Sequence, residues 1–155
     1  GSAYKSINDK GKIVTSRDGY NSYLIIVDSY TRYTWVYLTA SKQPPLTIVQ
    51  QFLDRYGIKD GTFRQVRCDQ GGELAKSSKF RAVVQQSGYS VEPTGSDNSS
   101  QNGIAERRIK SLCEDARTML SHGMHLWPEV VSKSLWPFAL KAACRSRNKF
   151  HLDQE

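Results

Sequence analysis

The sequence predicts an α/β domain in which a mixed β-sheet is flanked by helices. Two observations predict this class: strand-like runs rich in β-branched and aromatic residues, and intervening segments with apolar residues at helical spacing. At 155 residues, the chain is long enough for one domain with a full hydrophobic core.

The elements follow from local signals along the chain. Apolar runs mark the strands, whereas serine, proline and glycine mark the helix ends. We predict strands over 22–30 and 33–40, joined by a Thr31-Arg32 turn, and then a helix from Pro44-Pro45 to Gly57. A strand over 62–68, a helix capped by Ser77 or Ser78 and ended by Ser87-Gly88, and a strand over 89–91 follow. A mobile loop over 92–103 leads to a long helix from near Gly103 to near Gly123, and two last helices begin at Pro128 and Pro137.

The long helix carries both a core-facing stripe and polar side chains. Glu106 and Lys110 are one turn apart, so an acid and a cation are expected to point the same way. The predicted buried stripe consists of Ile109, Leu112, Cys113, Ala116, Met119 and Leu120.

Composition limits the classes of function. A net charge of +7 favours a polyanionic partner, although a merely basic protein is the alternative. No apolar run approaches the length of a membrane span, so no membrane partner is expected. Three cysteines without a Cys-x-x-Cys pair favour free thiols in a reducing compartment and argue against a zinc site.

Two acids stand in distinctive settings. Asp69 follows an apolar strand and enters a glycine turn, Cys68-Asp69-Gln70-Gly71-Gly72-Glu73. Glu106 lies in the opening turn of the basic helix, within Gln101-Asn102-Gly103-Ile104-Ala105-Glu106-Arg107-Arg108. Paired carboxylates suit divalent-metal phosphodiester chemistry, because hard cations prefer carboxylate oxygens. Alone, Asp69 is equally explained as a turn-capping residue, and Glu106 as a favourable charge at a helix N-terminus.

These two motifs, whose acids have 36 residues between them, resemble the motifs that carry the second and third acids of the D,D-35-E triad of retroviral-type integrases. The likeness is greatest to the integrase catalytic core of copia-type LTR retrotransposons. A third match is the run Asp28-Ser29-Tyr30-Thr31-Arg32-Tyr33-Thr34-Trp35-Val36-Tyr37, which is similar to the family's hairpin. The resemblance covers roughly residues 22–150.

The resemblance implies a ribonuclease H-like fold, a mixed sheet flanked by helices, with its first strand truncated here. It also implies that Asp69 and Glu106 are catalytic and bind Mg²⁺ or Mn²⁺. The implied activity is that of a metal-dependent polynucleotidyl transferase acting on DNA, in end processing and strand transfer. Implied partners are retroelement ends and host target DNA, with the chain as a homodimer or higher oligomer. The implied location is the nucleus, preceded by cytoplasmic retroelement particles.

The first acid of the triad is not evident. Residues 1–21 are polar and rich in turns, and Gly1-Ser2 resembles a tag remnant, so we expect the acid to lie upstream of Gly1. Asp18 as that acid, or natural loss of the triad, are the alternatives. We therefore predict a polar loop over 1–21, the integrase-like core over 22–150 and a tail over 151–155, with an open sheet edge where the first strand is missing.

Several polar residues are candidates for nucleic-acid contact. Arg107, Arg108 and Lys110 are expected to contact phosphates, with a solvated helix face as the alternative. Gln101 and Asn102 either contact DNA or cap the helix. The competing function is a catalytically inactive, domesticated or decayed domain that binds nucleic acid or dimerises.

Overall fold

A computed structural model describes residues 5–6, 8–9, 12–41, 43, 45–56, 65–68, 77–93 and 99–152. These residues form a mixed α/β domain, which confirms the class predicted from the sequence. The strands are β1 (Lys5–Ser6), β2 (Asn8–Asp9), β3 (Lys12–Ile13), β4 (Ser22–Val27), β5 (Thr34–Thr39), β6 (Gln65–Cys68) and β7 (Ser90–Pro93). The helices are α1 (Leu46–Tyr56), α2 (Ser78–Gln86), α3 (Ser99–Leu126) and α4 (Trp136–Leu152), with a 3₁₀ turn over Lys133–Leu135 before α4.

Antiparallel and parallel pairing both occur. Strands β1, β4 and β5 form an antiparallel sheet in that order, whereas β6 and β7 pair in parallel. Strands β2 and β3 form a small antiparallel pair of their own. Within residues 1–21, which we predicted to be a polar loop segment, Lys5 and Ser6 pair with Tyr23 and Ser22 of β4. They cover the first two residues of the β4 edge that we expected to be open.

A six-residue connection joins β4 to β5, longer than the predicted Thr31-Arg32 turn. The Asp28 carboxylate organises it, accepting hydrogen bonds from the Tyr30 amide at 3.1 Å and the Thr31 hydroxyl at 2.7 Å. Arg32 has a φ of 62°, which is uncommon outside glycine, and its amide donates to the Asp28 carbonyl at 2.9 Å. We call this connection, residues 28–33, the β4–β5 turn.

The hydrophobic core lies on both faces of the β4–β5 sheet. Successive residues of a strand point to opposite faces, so Tyr23 and Ile25 pack against α3 and α4, whereas Leu24 packs against α1 and α2. The first cluster consists of Tyr23, Ile25, Ile109, Leu112, Ala116, Trp136, Ala139, Leu140, Ala143 and Cys144. The second consists of Leu24, Val49, Leu53, Phe80 and Val84.

Two helix ends follow the predicted signals. Ser77 caps α2, because its hydroxyl accepts a hydrogen bond from the Phe80 amide at 3.2 Å. Gly88 follows that helix with a φ of 83°, a left-handed conformation that glycine adopts without strain.

The long helix exceeds its predicted limits at both ends. It begins at Ser99 and ends at Leu126, so Gly103 and Gly123 are helical rather than terminal. Residues 99–102 therefore belong to the helix and not to the predicted mobile loop. Within the predicted stripe, Ile109, Leu112 and Ala116 are buried, but Met119 is exposed.

The two Leu-Trp-Pro segments differ in structure. Pro137 lies in the first turn of α4, as predicted, but Pro128 lies in a turn, so the predicted helix there is wrong. Trp136 is buried and donates through Nε1 to the Val14 carbonyl at 3.1 Å, whereas Trp127 is 60% exposed. Among the described residues, no helix is both long and apolar enough to cross a membrane. Cys113 and Cys144 are free thiols.

Candidate active site and basic helix

Helix α3 positions Glu106 at the protein surface. Ala105, Ile109, Leu112 and Ala116 are buried at spacings of four, three and four residues, which orients this face of the helix towards the sheet. Glu106 follows buried Ala105 by one residue and is exposed. Its carboxylate is therefore accessible to a ligand in solution.

Strand β6 leads to the second predicted acid. It runs parallel to β7, with Val66 opposite Val91 and Cys68 opposite Pro93. Asp69 is the next residue in the sequence after the C-terminal end of β6. Asp69 itself lies outside the described residues, so its pairing with Glu106 remains a prediction.

Asp18, the alternative first acid, lies in a tight turn. The Ser16 hydroxyl accepts a hydrogen bond from the Tyr20 amide at 2.9 Å, and Gly19 has a φ of 87°. Asp18 is exposed between them. This is the turn setting that its Arg-Asp-Gly context suggests, and its role as a metal ligand remains a prediction.

The basic residues of α3 point in different directions. Lys110 is exposed one turn after Glu106, so the two side chains share a side of the helix. Arg107 is also exposed, and its guanidinium lies against Gly103, where an added Cβ would be 2.9 Å from Nη1. Gln101 and Asn102 lie in the first turn of α3, and their side chains are outside the described residues.

Arg108 differs from the exposed residues Arg107 and Lys110 in its burial and its hydrogen bonding. It is half-buried, and its Nη2 donates a hydrogen bond to the Arg32 carbonyl in the β4–β5 turn at 3.2 Å. Burial of its guanidinium lowers the pKa of Arg108, and positive charges on Arg147 and Arg32 add to that effect. Three arginines, from the turn and from two helices, therefore lie close together.

One acid in this region already has a partner. Asp115 of α3 accepts two hydrogen bonds from Arg147 of α4, from Nε at 2.6 Å and from Nη2 at 3.1 Å. These hydrogen bonds lower the pKa of Asp115 and raise that of Arg147. The Arg147 side chain is still 39% exposed, so this ion pair lies at the protein surface.

Sequence reasoning missed the contribution of Arg32. It was predicted only as a turn residue, because an arginine in a hairpin carries no local signal of burial or of contact with a distant helix. The Asp28 carboxylate, in the hairpin that resembles the family's, is engaged by two hydrogen bonds within the turn.

The described part of the chain contains no group of three or more His, Cys, Asp or Glu residues that could hold a metal ion. Of the two acids predicted to bind Mg²⁺ or Mn²⁺, it includes only Glu106. An exposed carboxylate is the type of oxygen donor that such hard cations prefer, so this residue fits the predicted role.

The fold and the basic helix together define a mixed α/β domain with an exposed acid on a cationic helix. Comparison with known proteins identifies its relatives. No family model matches the chain. It is 30% identical over 134 residues to the "Retrovirus-related Pol polyprotein from transposon RE1" of Arabidopsis thaliana, covering 84% of this chain and 8% of that protein. The corresponding RE2 polyprotein of the same plant is 31% identical, with the same coverage.

A third relative comes from another plant. The "Retrovirus-related Pol polyprotein from transposon TNT 1-94" of Nicotiana tabacum is 27% identical over 137 residues, which are 88% of this chain and 10% of that protein. The chain thus spans about one-tenth of the length of the curated relatives it matches. It is homologous to a region of the Pol polyproteins of copia-type retrotransposons, which confirms the family resemblance carried by the motifs.

Proposed function

We propose that this region is the integrase core of a copia-type retroelement, a metal-dependent polynucleotidyl transferase that processes DNA ends and joins them to target DNA. The observation that carries the proposal is the setting of Glu106, an exposed carboxylate on a helix whose neighbouring face is buried against the sheet, within the Gln-Asn-Gly-x-Ala-Glu-Arg box. The relatives support the same origin, since all three are retrovirus-related Pol polyproteins.

The strand arrangement supports a ribonuclease H-like fold for the domain. Such a fold begins with three antiparallel strands and continues with parallel ones. Strands β4 and β5 are antiparallel, with the two-residue β1 antiparallel beside β4, and β6 and β7 form a separate parallel pair in the described part of the chain. In α/β sheets, catalytic side chains commonly follow the C-terminal ends of strands, which is where Asp69 stands in the sequence after β6.

On this proposal, Asp69 and Glu106 hold Mg²⁺ or Mn²⁺. A bound ion would supply the Lewis acidity needed to activate a water or a DNA 3′-hydroxyl and to stabilise the leaving oxygen. Exposed Lys110 and Arg107 bind the phosphates of the DNA and align it with Glu106. The partners are retroelement ends and host target DNA, and the chain acts as a homodimer or higher oligomer in the nucleus after assembly in cytoplasmic particles. The comparisons do not favour a decayed domain without catalysis.

Manganese binding tests the proposal directly. Mn²⁺ titrated into the ¹⁵N-labelled protein is expected to broaden the backbone amide signals near Glu106 and Asp69, because the unpaired electrons of the ion relax nearby nuclei. Asp69→Asn and Glu106→Gln are each expected to weaken binding at least tenfold. Glu114→Gln is the matched control, because Glu114 is exposed on the same helix eight residues later.

Binding that survives both Asp69→Asn and Glu106→Gln would overturn the metal assignment. Anomalous diffraction from a Mn²⁺-soaked crystal then identifies any third carboxylate. If Asp18 is in the metal's coordination shell, the expectation of an upstream first acid is wrong.

A further inference from the structure

We propose that Arg32 and Arg108 form a second binding site, which takes one phosphate group of a nucleic-acid backbone on the side of α3 away from Glu106. Consecutive residues of an α-helix are about 100° apart, so Arg108 and Glu106 are about 160° apart around the axis. Lys110, four residues after Glu106, belongs to the Glu106 side. The phosphate site is therefore distinct from the proposed metal site.

The site is built on a fixed backbone. Arg32 is held in its left-handed conformation from both sides: its amide donates to the Asp28 carbonyl, and its own carbonyl accepts from Arg108 Nη2 and from the Thr34 hydroxyl at 3.1 Å. Since the turn and the helix are joined at this point, the Arg32 backbone and the Arg108 guanidinium keep a defined relative position without a ligand.

The positive charges of Arg32, Arg108 and Arg147 are only partly neutralised by the acid near them. Arg32 Nη1 is buried and has no hydrogen-bond partner among the residues that the structure describes. Arg108 experiences the positive charges of both Arg32 and Arg147. The carboxylate of Asp115 is already engaged by Arg147 through two hydrogen bonds. A buried guanidinium nitrogen without an acceptor is costly. Because Arg32 as a whole is only half-buried, a small turn of its side chain towards solvent would let a bound anion supply the missing acceptor.

The chemistry favours phosphate as that anion. Guanidinium groups present several N–H donors in a fixed plane that matches phosphate oxygens. On the same turn, Tyr30 is 92% exposed and offers an aromatic face to a sugar or base next to the bound phosphate. The net charge of +7 attracts a polyanion to the whole domain. The choice of nucleic acid as the source of the phosphate rests on the proposed function, whereas the anion site itself does not.

Two measurements test the site separately. The first is titration of sodium phosphate at constant ionic strength, followed through the arginine Nε–Hε signals of the ¹⁵N-labelled protein. Saturable shifts are expected for Arg32 and Arg108 but not for Arg81, which is exposed on α2. The second is fluorescence anisotropy with a labelled DNA duplex over a range of salt concentrations.

Arg32→Asn is the informative variant, because asparagine tolerates the left-handed backbone while removing the charge. It is expected to abolish the phosphate shift of Arg108 and to weaken duplex binding about five- to tenfold. The slope of log affinity against log salt should fall by about one, as for loss of one phosphate contact. Arg81→Gln removes the same charge from a distant helix and should change neither the phosphate shift nor the salt slope by a comparable amount.

The outcomes separate this inference from the proposed function. Absence of a saturable shift at Arg32 overturns the site, whatever the protein does with DNA. If duplex affinity falls in Lys110→Ala but not in Arg32→Asn, the inference fails while the proposed function stands. If phosphate binds at Arg32 but the wild-type protein binds no duplex, the nucleic-acid assignment is overturned, and the DNA contacts of the proposed function fail with it. In that case an acidic protein segment or free phosphate is the ligand.

Discussion

At the scale of single residues, the carboxylate of Asp28 does most to define the β4–β5 turn. It receives hydrogen bonds from Tyr30 and Thr31 and lies just before the left-handed residue Arg32. Because the turn presents Arg32 to Arg108, its stability matters for the arginine cluster as well as for the hairpin. This is a structural role for an acid that stands in one of the three family-like motifs.

Replacing Asp28 with alanine is expected to lower the free energy of unfolding by about 1 kcal/mol, since two exposed hydrogen bonds are lost. Urea unfolding followed by circular dichroism measures the change. Asp54→Ala, which removes an exposed acid from α1, serves as the control and should cost less. Equal losses in the two variants would show that the Asp28 carboxylate adds nothing beyond its charge.

Local sequence signals identified several residues correctly and missed others. Ser77 was predictable as a cap, since a serine before a helical run offers an oxygen to a free amide. Arg32 was not predictable, because its role depends on Arg108, which lies 76 residues later in the chain. Contacts of such sequence separation leave no periodic pattern in either segment.

At the scale of elements, side-chain contacts attach α4 to the rest of the domain. The Asn148 side chain makes two hydrogen bonds to the backbone of β5: it donates to the Thr34 carbonyl at 2.8 Å and accepts from the Thr34 amide at 2.9 Å. Arg147 holds α3 through Asp115. The two contacts come from successive residues of α4, so this part of the helix is attached both to the sheet and to its neighbouring helix.

The Arg147–Asp115 pair predicts a dependence of stability on pH. The folded pKa of Asp115 lies below its unfolded value of 3.8, so the contribution of the pair is present above that value. It is lost as the pH falls through the lower, folded pKa. Because both side chains are more than one-third exposed, solvent screening limits the contribution to about 0.5–1 kcal/mol.

Comparison of the wild-type protein with Asp115→Asn tests this. The difference in free energy of unfolding should be constant from pH 7 to about pH 5 and should shrink as the pH is lowered towards 3. Glu129→Gln is the control, since Glu129 is an exposed acid outside both helices. A difference that grew at low pH would contradict the assignment.

The limits of α3 show why element boundaries were harder to predict than element types. Apolar spacing correctly predicts a long helix, whereas the two glycines, Gly103 and Gly123, wrongly predict its ends. Glycine ends a helix when it adopts a positive φ, as Gly88 does after α2, whereas Gly103 and Gly123 lie within the helix and do not have a positive φ. Gly123 instead lies where Val131 approaches, 3.1 Å from an added Cβ, so its small size serves a packing contact.

At the scale of the whole molecule, the sheet divides the core into two clusters that share β4. Tyr23 and Ile25 belong to the cluster beneath α3 and α4, and Leu24 between them belongs to the other. The α/β class and most core residues were predictable, because period-two and helical spacings report directly on burial. The pairing of β1 with β4 was not, since residues 5–6 are two polar residues without an apolar pattern.

Sharing one strand between the two clusters predicts that they unfold together. Val84 is fully buried in the α1–α2 cluster, so Val84→Ala is expected to cost about 2 kcal/mol. Trp35 packs against Phe52 on that side, and Trp136 packs against Tyr23 on the other, so each tryptophan reports on one cluster.

The measurement uses two single-tryptophan proteins, one that retains Trp35 and one that retains Trp136. Val84→Ala should lower the urea midpoint of fluorescence-detected unfolding equally in both proteins. Arg81→Ala, on the exposed side of α2, is the control and should change neither midpoint by as much. A fall in the Trp35 midpoint alone would mean that the α3–α4 side remains folded without the other cluster. The helix that carries Glu106 and Arg108 would then be independent of the α1–α2 side, and the β4–β5 turn would be the element on which the arginine cluster depends.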